Sequence, residues 1–150
     1  SPKLSKGPDR FIKILKDMKD EKDLFIILAG KRRAYVISEL EKLNIEYKYF
    51  EMADNRLLNK LYNCLDLYIV ASRVEGGPQA IIECSLSKTP IISTDVGVAP
   101  EILSKKSIFN MDNFMNAEAD IKYAYERASA FTIPKGFKKF LDMLELTNEN

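Results

Sequence analysis

The sequence predicts an α/β fold, a doubly wound parallel sheet with helices packed on both of its faces. Short apolar runs alternate along the chain with amphipathic segments, as they do when a parallel sheet is covered by helices. Apolar residues within those segments recur at helical spacing. The chain has 150 residues, of which 46% are hydrophobic and 30% are charged, and this is typical of one soluble globular domain. We therefore expect a single domain over residues 1–150.

The strands are predicted from continuous apolar runs that are short enough to be buried on both faces of a sheet. Such runs occupy residues 24–29, 67–71 and 91–93, and residues 45–50 and 108–109 are further candidates. Lys48 should make the strand over residues 45–50 more exposed than the others. A doubly wound sheet usually opens with a strand before its first helix, and residues 1–6 do not supply one. Either that strand lies upstream of residue 1 in a longer natural chain, which we expect, or the domain begins at this loop.

The helices are predicted where apolar residues recur every three or four positions. This spacing, together with the order of the elements, predicts helices within residues 11–18, 36–43, 57–65, 79–88, 114–130 and 134–146. Pro8 suits the first turn of the first helix, and Asp54 or Asn55 can cap the third. The last helix has an apolar face formed by Phe137, Phe140, Leu141 and Leu144.

Composition excludes several classes of function. The chain contains no histidine, so it cannot use Ser-His-Asp or Cys-His catalysis or the common zinc sites with histidine ligands. A formal net charge of +1 argues against a dedicated nucleic-acid binder. No apolar stretch approaches the roughly 20 residues that span a bilayer, and we expect a cytoplasmic protein. Cys64 and Cys84 are expected to be buried small hydrophobes within helices.

The loop after the third strand carries the most informative residues. Ligands of open α/β sheets bind where strands end and helix N-termini begin, and here two glycines allow close approach of a ligand. Glu75 lies in this loop, and Glu83 lies about one and a half turns into the next helix, so their carboxylates could contact separate hydroxyl-bearing parts of one extended ligand. The alternative is an ordinary Gly-Gly-Pro turn with a glutamate favoured near a helix N-terminus.

Residues 75–83 read E-G-G-P-Q-A-I-I-E and resemble the E-x7-E signature of retaining GT-B glycosyltransferases of the glycosyltransferase 4 group. Lys6-Gly7 resembles the phosphate-binding Lys-Gly of that family. Residues 24–30 resemble its apolar strand ending in glycine, and residues 94–102 its T-D-x-G-G-x-P-E-I segment. The resemblance runs from Lys6 to Phe109 and implies a Rossmann-like domain, the C-terminal half of a GT-B fold.

The resemblance also implies an activity. The chain would be the donor-binding half of a hexosyltransferase, which transfers a hexose with retention from a nucleotide diphosphate sugar to a glycan or lipid acceptor, as in polysaccharide biosynthesis. The acceptor-binding N-terminal domain would be absent from this chain. The full-length enzyme could lie at the inner membrane face. No metal or other cofactor is expected, because the sequence has no D-x-D motif.

Roles are implied residue by residue. Glu75 would be the catalytic residue that hydrogen-bonds sugar hydroxyls near the reacting centre, and Glu83 would accept from the ribose hydroxyls. Lys6 would neutralise the diphosphate as it leaves. Backbone N–H groups that would face the sugar or the diphosphate belong to Gly76, Gly77 and Gln79.

Other cationic and acidic residues have two readings each. Lys31 and Arg32 could contact a phosphate, or they could simply form a solvent-exposed helix start. Arg73 could reach an acidic group of the donor, or it could form a surface salt bridge. Glu101 could contact ligand or orient the loop after Gly97. Val98 departs from the family, which has a second glycine at that position.

Three alternatives stay open. The chain could be a non-catalytic module that binds nucleotides or sugar phosphates. It could be an unrelated flavodoxin-like or receiver-type domain, although no acidic cluster follows an opening strand. It could also be a carbohydrate hydrolase that uses Glu75 and Glu83 as its two carboxylates, a question that their separation decides.

Overall fold

The structure, a computed structural model, describes residues 4–133, 135, 136 and 138. It is an α/β fold with parallel strands and helices on both sides, as the sequence predicts. The strands are β1 (Phe25–Ala29), β2 (Glu46–Phe50), β3 (Tyr68–Val70), β4 (Ile91–Thr94) and β5 (Ile108–Phe109). The α-helices are α1 (Pro8–Lys19), α2 (Ala34–Lys42), α3 (Asn55–Asn63), α4 (Gln79–Leu86), α5 (Ala99–Ile102) and α6 (Ile121–Ala128). Short 3-10 turns occupy Leu4–Lys6, Lys105–Ser107, Phe114–Asn116 and Ser129–Phe131.

The strands form two separate parallel sheets in the described part of the chain. β1 pairs with β2, and β3, β4 and β5 pair in that order. β4 has a neighbour on each side and is buried throughout, which confirms the expectation for its apolar run. For β1 and β3 that expectation is wrong: Phe25 is 60% exposed, and only Leu28 in β1 and Val70 in β3 are buried. Each of these strands has only one paired edge among the described residues, which leaves its other side uncovered.

α1 packs against the cores of both sheets. Its Ile12 and Leu15 join the cluster formed with α2, β1 and β2. Ile14, on another face of the same helix, joins a cluster with Ile92 of β4 and Phe109 of β5. Because α1 contributes to both clusters, it fixes the carboxyl end of β3 relative to the first sheet.

The prediction of one continuous helix over residues 114–130 is wrong, because the helix is interrupted. A 3-10 turn at Phe114–Asn116 is followed by extended backbone, and α6 begins only at Ile121. The Ser107 hydroxyl explains the break, because it donates to the Glu118 carbonyl and accepts from the Asp120 N–H. These tertiary bonds use backbone groups that a helix would need, and the Asp120 carboxylate then caps α6.

Several helix boundaries follow the predicted signals. Pro8 occupies the first turn of α1, and the Asp54 carboxylate caps α3 by accepting from the Leu57 N–H at 2.7 Å. The last predicted helix, residues 134–146, lies almost entirely outside the described residues, as does its apolar face.

Cys84 is fully buried, as expected, and its burial raises the pKa of the thiol. The expectation for Cys64 is wrong, because this residue is exposed. α3 ends at Asn63, so Cys64 falls at the C-cap and outside the apolar face of the helix.

Candidate functional site

The candidate site lies where the start of α1 meets the carboxyl end of β3. Gly7 lies at the N-cap of α1 with a left-handed φ of 61°. A Cβ at this position would lie 1.9 Å from the Ala71 carbonyl oxygen, so only glycine allows this approach. The close contact places the Leu4–Lys6 turn beside the loop that follows β3.

Lys6 and Glu75 form an ion pair across this junction. Nζ of Lys6 lies 2.5 Å from Oε1 of Glu75, although the residues are 69 positions apart in the chain. The Ser72 hydroxyl donates to the same carboxylate oxygen at 3.0 Å. The Glu75 side chain is only 13% exposed, whereas that of Lys6 is 52% exposed. An anion arriving from solvent can therefore reach the ammonium group directly, and it would compete with Glu75 for it.

Arg73 is held by acidic and backbone oxygens of the N-terminal segment. Its guanidinium donates to both carboxylate oxygens of Asp9, at 2.7 and 2.6 Å, and to the Leu4 carbonyl at 3.0 Å. The hydrogen bonds from Arg73 lower the pKa of Asp9 to about 2. The structure thus places Arg73 in a bidentate salt bridge, the second of the two readings given for it.

The glycine turn after Glu75 rests on the loop that follows β4. A Cβ on Gly97 would lie 2.9 Å from the Pro78 side chain and 3.0 Å from the Glu75 and Gly76 carbonyl oxygens. Gly97 also has a φ of 51°, so this position needs glycine for two reasons. The described residues contain no side-chain cap at the N-terminus of α4. Gly76, Gly77 and Gln79 are exposed there, where a ligand could approach their backbone.

Glu83 points away from this turn, into a groove between α3 and α4. The groove has a volume of about 310 Å³ and is lined by Asn55, Leu58, Asn59, Tyr62, Glu83, Leu86 and Ser87. The Tyr62 hydroxyl donates to Oε2 of Glu83 at 2.7 Å. Burial, reinforced by that hydrogen bond, raises the pKa of Tyr62 well above its usual range, so the hydroxyl stays protonated.

Tyr62, Asp9 and Ser72 hold the predicted site residues, and sequence reasoning did not single them out. Tyr62 is one of the residues on the apolar face of the helix predicted over residues 57–65. A hydroxyl on such a face needs a hydrogen-bond partner, and this was the available signal. Ser72 and Asp9, which bind Glu75 and Arg73, left no such signal in the sequence.

The remaining predicted cations lie at the end of β1. Lys31 and Arg32 are exposed, and Arg32 has a φ of 65°. Nε of Arg33 donates to the Ala29 carbonyl at 2.9 Å and closes the bend before α2. Lys31, Arg32 and Arg33 therefore follow a strand of the first sheet, whereas Glu75 follows a strand of the second. Glu101 is exposed in the first turn of α5, and its carbonyl accepts from Arg127.

A second groove of about 360 Å³ opens at the carboxyl ends of β3, β4 and β5. It is lined by Arg10, Ser72, Arg73, Thr94, Asp95, Val96, Phe109, Asn110, Met111 and Asp112. Its charged residues carry both signs, so its chemistry favours no single class of ligand.

The described residues show neither a group arranged to hold a metal ion nor a helix able to cross a membrane. No group of three or more cysteine, aspartate or glutamate side chains within residues 4–133, 135, 136 and 138 is arranged to hold a metal ion. Nor is any helix of this described part both long enough and apolar enough to cross a membrane.

Comparison with known proteins gives a family match and several structural neighbours. The family model described as "Glycosyl transferases group 1" matches residues 3–127. A probable sucrose-phosphate synthase of Thermosipho melanesiensis is 29% identical to this chain. That alignment covers 89% of the chain but 36% of the relative, so the chain spans about a third of the length of that protein.

The similar solved structures share the fold at low sequence identity. The catalytic domain of a cholesterol-alpha-glucosyltransferase from Helicobacter pylori has a TM-score of 0.68 at 19% identity, and the match covers 87% of this chain and 93% of that one. Sucrose-phosphate synthase from Thermosynechococcus elongatus has a TM-score of 0.70 at 15% identity, over 98% of this chain and 43% of that one. A C-terminal domain of a group 1 family protein from Francisella tularensis has a TM-score of 0.60 at 21% identity, over 85% and 76% of the two chains.

Proposed function

The chain belongs to the group 1 glycosyl transferases, and from this premise we propose that it is the donor-binding half of a retaining hexosyltransferase. Its donor is a nucleotide diphosphate sugar, and its acceptor is a glycan or a lipid-linked sugar. The acceptor binds to an N-terminal domain outside this chain, and transfer takes place in the cleft between the two halves. The full-length enzyme works in the cytoplasm, where it can lie at the inner membrane face.

The contact between Lys6 and Glu75 is the observation that carries the proposal. Two groups of opposite charge come from distant parts of the chain and meet at the rim of a sheet, beside an exposed glycine turn. This rim is where open α/β sheets bind ligands. A nucleotide diphosphate sugar needs both a cation for its diphosphate and a hydrogen-bond acceptor for its sugar hydroxyls.

Donor binding exchanges the partners of these two groups. A diphosphate oxygen takes the place of Glu75 on the Lys6 ammonium, which is half exposed and accessible. The Glu75 carboxylate then accepts from the sugar hydroxyls, while the Ser72 hydroxyl continues to hold it. Neither charge loses its partner in the exchange, so the site avoids the cost of an unpaired charge.

Sugar transfer breaks the bond between the anomeric carbon and the diphosphate oxygen, and the bonding electrons stay on that oxygen. Lys6 stabilises the negative charge that develops there. Backbone N–H groups of Gly76, Gly77 and Gln79 lie at the same turn and can donate to the sugar or the diphosphate. The acceptor hydroxyl oxygen forms the new bond on the face that the diphosphate leaves, and its proton passes to the departing diphosphate oxygen. No step in this scheme requires a metal ion.

Glu83 holds the ribose. One of its oxygens accepts from Tyr62, and the other has no partner among the described residues. Glu83 also lines a groove that contains apolar and amide side chains, which suits a nucleoside. Lys31, Arg32 and Arg73 are assigned no direct phosphate contact in this scheme.

Calorimetric titration of the chain with UDP, GDP and ADP tests the proposal. We expect one of the three to bind, with an affinity that magnesium leaves unchanged. Glu83→Gln should weaken this binding by about tenfold or more, since a hydrogen bond to a charged group contributes roughly 1.5–3 kcal/mol.

Glu41→Gln is the matched control for this substitution. Glu41 also accepts from a tyrosine, Tyr47, at 3.0 Å, but it lies outside the groove. The control should bind like the unmodified chain. If none of the three nucleotides binds, or if the two variants weaken binding equally, the assignment of the groove to the nucleoside is wrong.

A further inference from the structure

The residues directly before Glu75 hold the turn that carries Lys6. Backbone N–H groups of Arg73 and Val74 both donate to the Ser5 carbonyl, at 2.8 and 3.3 Å. The Arg73 guanidinium donates to the Leu4 carbonyl as well. Three bonds therefore tie the Leu4–Lys6 turn to the segment that leads into Glu75.

The same guanidinium also fixes the first turn of α1. Both of its terminal nitrogens donate to the Asp9 carboxylate, in the bidentate geometry that arginine forms with carboxylates. Asp9 follows Lys6 by three positions, so Arg73 contacts the chain on both sides of Lys6. Gly7 adds a further fixed point, since its Cα lies against the Ala71 carbonyl.

These contacts also determine which charge is available to a ligand. The Asp9 carboxylate neutralises the Arg73 guanidinium, and the low pKa of Asp9, about 2, keeps that carboxylate ionised at any ordinary pH. Lys6 is paired as well, but half of its side chain is exposed. Lys6 rather than Arg73 is therefore the cation that a diphosphate can recruit.

We propose that Arg73 and Asp9 form a clamp that positions Lys6 against Glu75, so that Arg73 acts through Lys6 and not by touching phosphate. Arg73 is thus a positioning residue. The effect of the clamp on donor binding rests on the proposed function, because it depends on the roles proposed for Lys6 and Glu75. The clamp itself is a statement about geometry and can be tested without any ligand.

Carbodiimide cross-linking tests the geometry. The reagent joins a lysine amine to a carboxylate in contact with it, with loss of water, and mass spectrometry quantifies the resulting peptide pair. Lys42 and Glu39 lie 2.6 Å apart on α2 and provide an internal standard in the same molecule. In Arg73→Ala the yield of the Lys6–Glu75 product, relative to the Lys42–Glu39 product, should fall at least fivefold.

Asp9→Asn is the milder variant, because it removes one charge and keeps the side-chain shape. It should lower the same ratio less than Arg73→Ala does. Both variants should retain the circular dichroism of the unmodified chain. Should Arg73→Ala fail to fold, Asp9→Asn alone decides the question. An unchanged cross-link ratio in the folded variants overturns the clamp.

Nucleotide titration separates positioning from direct contact. With UDP, GDP and ADP as probes, Arg73→Ala should weaken diphosphate binding at least fivefold, and it should leave binding of the matching nucleoside unchanged. Arg73→Lys keeps the charge but cannot form the bidentate contact with Asp9. We expect it to behave like Arg73→Ala in both assays, whereas recovery of affinity in Arg73→Lys would show direct phosphate contact and overturn the proposal.

The two assays also distinguish failure of the clamp from failure of the proposed function. If the unmodified chain binds none of the three nucleotides, the proposed function fails. The cross-link ratio then still confirms or overturns the geometry of the clamp.

Discussion

Tyr62 combines a half-buried ring with a hydroxyl that lies beside the groove between α3 and α4. Its ring packs against Tyr68 at 5.9 Å in an edge-to-face arrangement, and its hydroxyl reaches Glu83 on the neighbouring helix. Because Glu83 is itself exposed, its side chain would otherwise sample several rotamers. The hydrogen bond restricts this rotamer freedom, and the second carboxylate oxygen keeps no partner among the described residues.

We predict that Tyr62→Phe weakens nucleotide binding about threefold to tenfold and lowers the free energy of unfolding by about 0.5–1.5 kcal/mol, the net contribution of a typical hydrogen bond. The weaker binding should be the same at pH 6 and pH 9, because the raised pKa of Tyr62 keeps its hydroxyl protonated across this range. Calorimetric titration at both pH values and urea unfolding measure the two effects.

Tyr47→Phe is the control for this prediction. It removes an equivalent tyrosine–glutamate hydrogen bond, to Glu41, on the other sheet. We expect a similar small loss of stability and no change in nucleotide affinity. Unaltered affinity in Tyr62→Phe would show that Glu83 needs no support from the tyrosine.

Sequence reasoning at this scale found candidate residues but not most of their partners. Lys6 and Glu75 stand out because they belong to motifs. Their contact is a tertiary fact, since 69 positions of chain separate them. Asp9 gives no signal of its own, because a carboxylate in a first helical turn is favoured whether or not an arginine faces it.

At the scale of elements, the start of α1 is the most constrained point of the site. The helix can begin at Pro8 only because Gly7 takes a left-handed conformation and leaves no side chain against β3. The position of Lys6 follows from that single glycine. A change at Gly7 should therefore affect both folding stability and the site.

We predict that Gly7→Ala lowers the free energy of unfolding by about 2–4 kcal/mol, because it combines a strained positive φ with a contact that a Cβ cannot make. Gly76→Ala is the matched control. Gly76 has no positive φ, and a Cβ there would meet nothing within 4 Å. The control should change stability by no more than about 0.5 kcal/mol. Urea unfolding compares them, and equal stabilities would contradict the close approach of Gly7 to Ala71.

Boundaries of elements were predictable wherever local signals determine them. Each strand lies within one residue of its predicted segment. Short runs rich in β-branched and aromatic residues, bounded by polar or turn-forming residues, are a local signal that does not depend on burial of both faces. Residues 114–130 were not predictable, since the hydroxyl that interrupts the helix belongs to Ser107. Local periodicity carries no information about such a distant partner.

At the scale of the whole molecule, the division into two sheets is the feature that sequence reasoning captured only in part. It predicted parallel strands covered by helices, but it did not show that the strands would divide into two sheets in the described part of the chain. β1 and β3 keep apolar residues half exposed along their unpaired edges, although their composition is that of buried strands. α1 connects the two sheets, because its side chains pack in both cores and its Asp9 and Arg10 bond to Arg73 and Ser72 in the loop after β3.

Hydrogen exchange should reveal this division. The Tyr68 N–H donates to the Pro90 carbonyl and so points toward β4. Since successive backbone groups of a strand alternate in direction, the N–H of Ile69 points toward the unpaired edge of β3. Its register partner Ile92 lies in the buried central strand β4. We predict that the amide of Ile69 exchanges roughly 100-fold or more faster than that of Ile92, as measured by NMR on the unmodified chain.

The two isoleucines make this comparison well matched, because they share a side chain, a sheet and a level along the strands. They differ in strand pairing, because β4 pairs with a strand on each side and β3 pairs with a strand on one side. Equal protection of Ile69 and Ile92 in this chain would mean that the edge of β3 is already covered, and the division into two sheets would then be wrong.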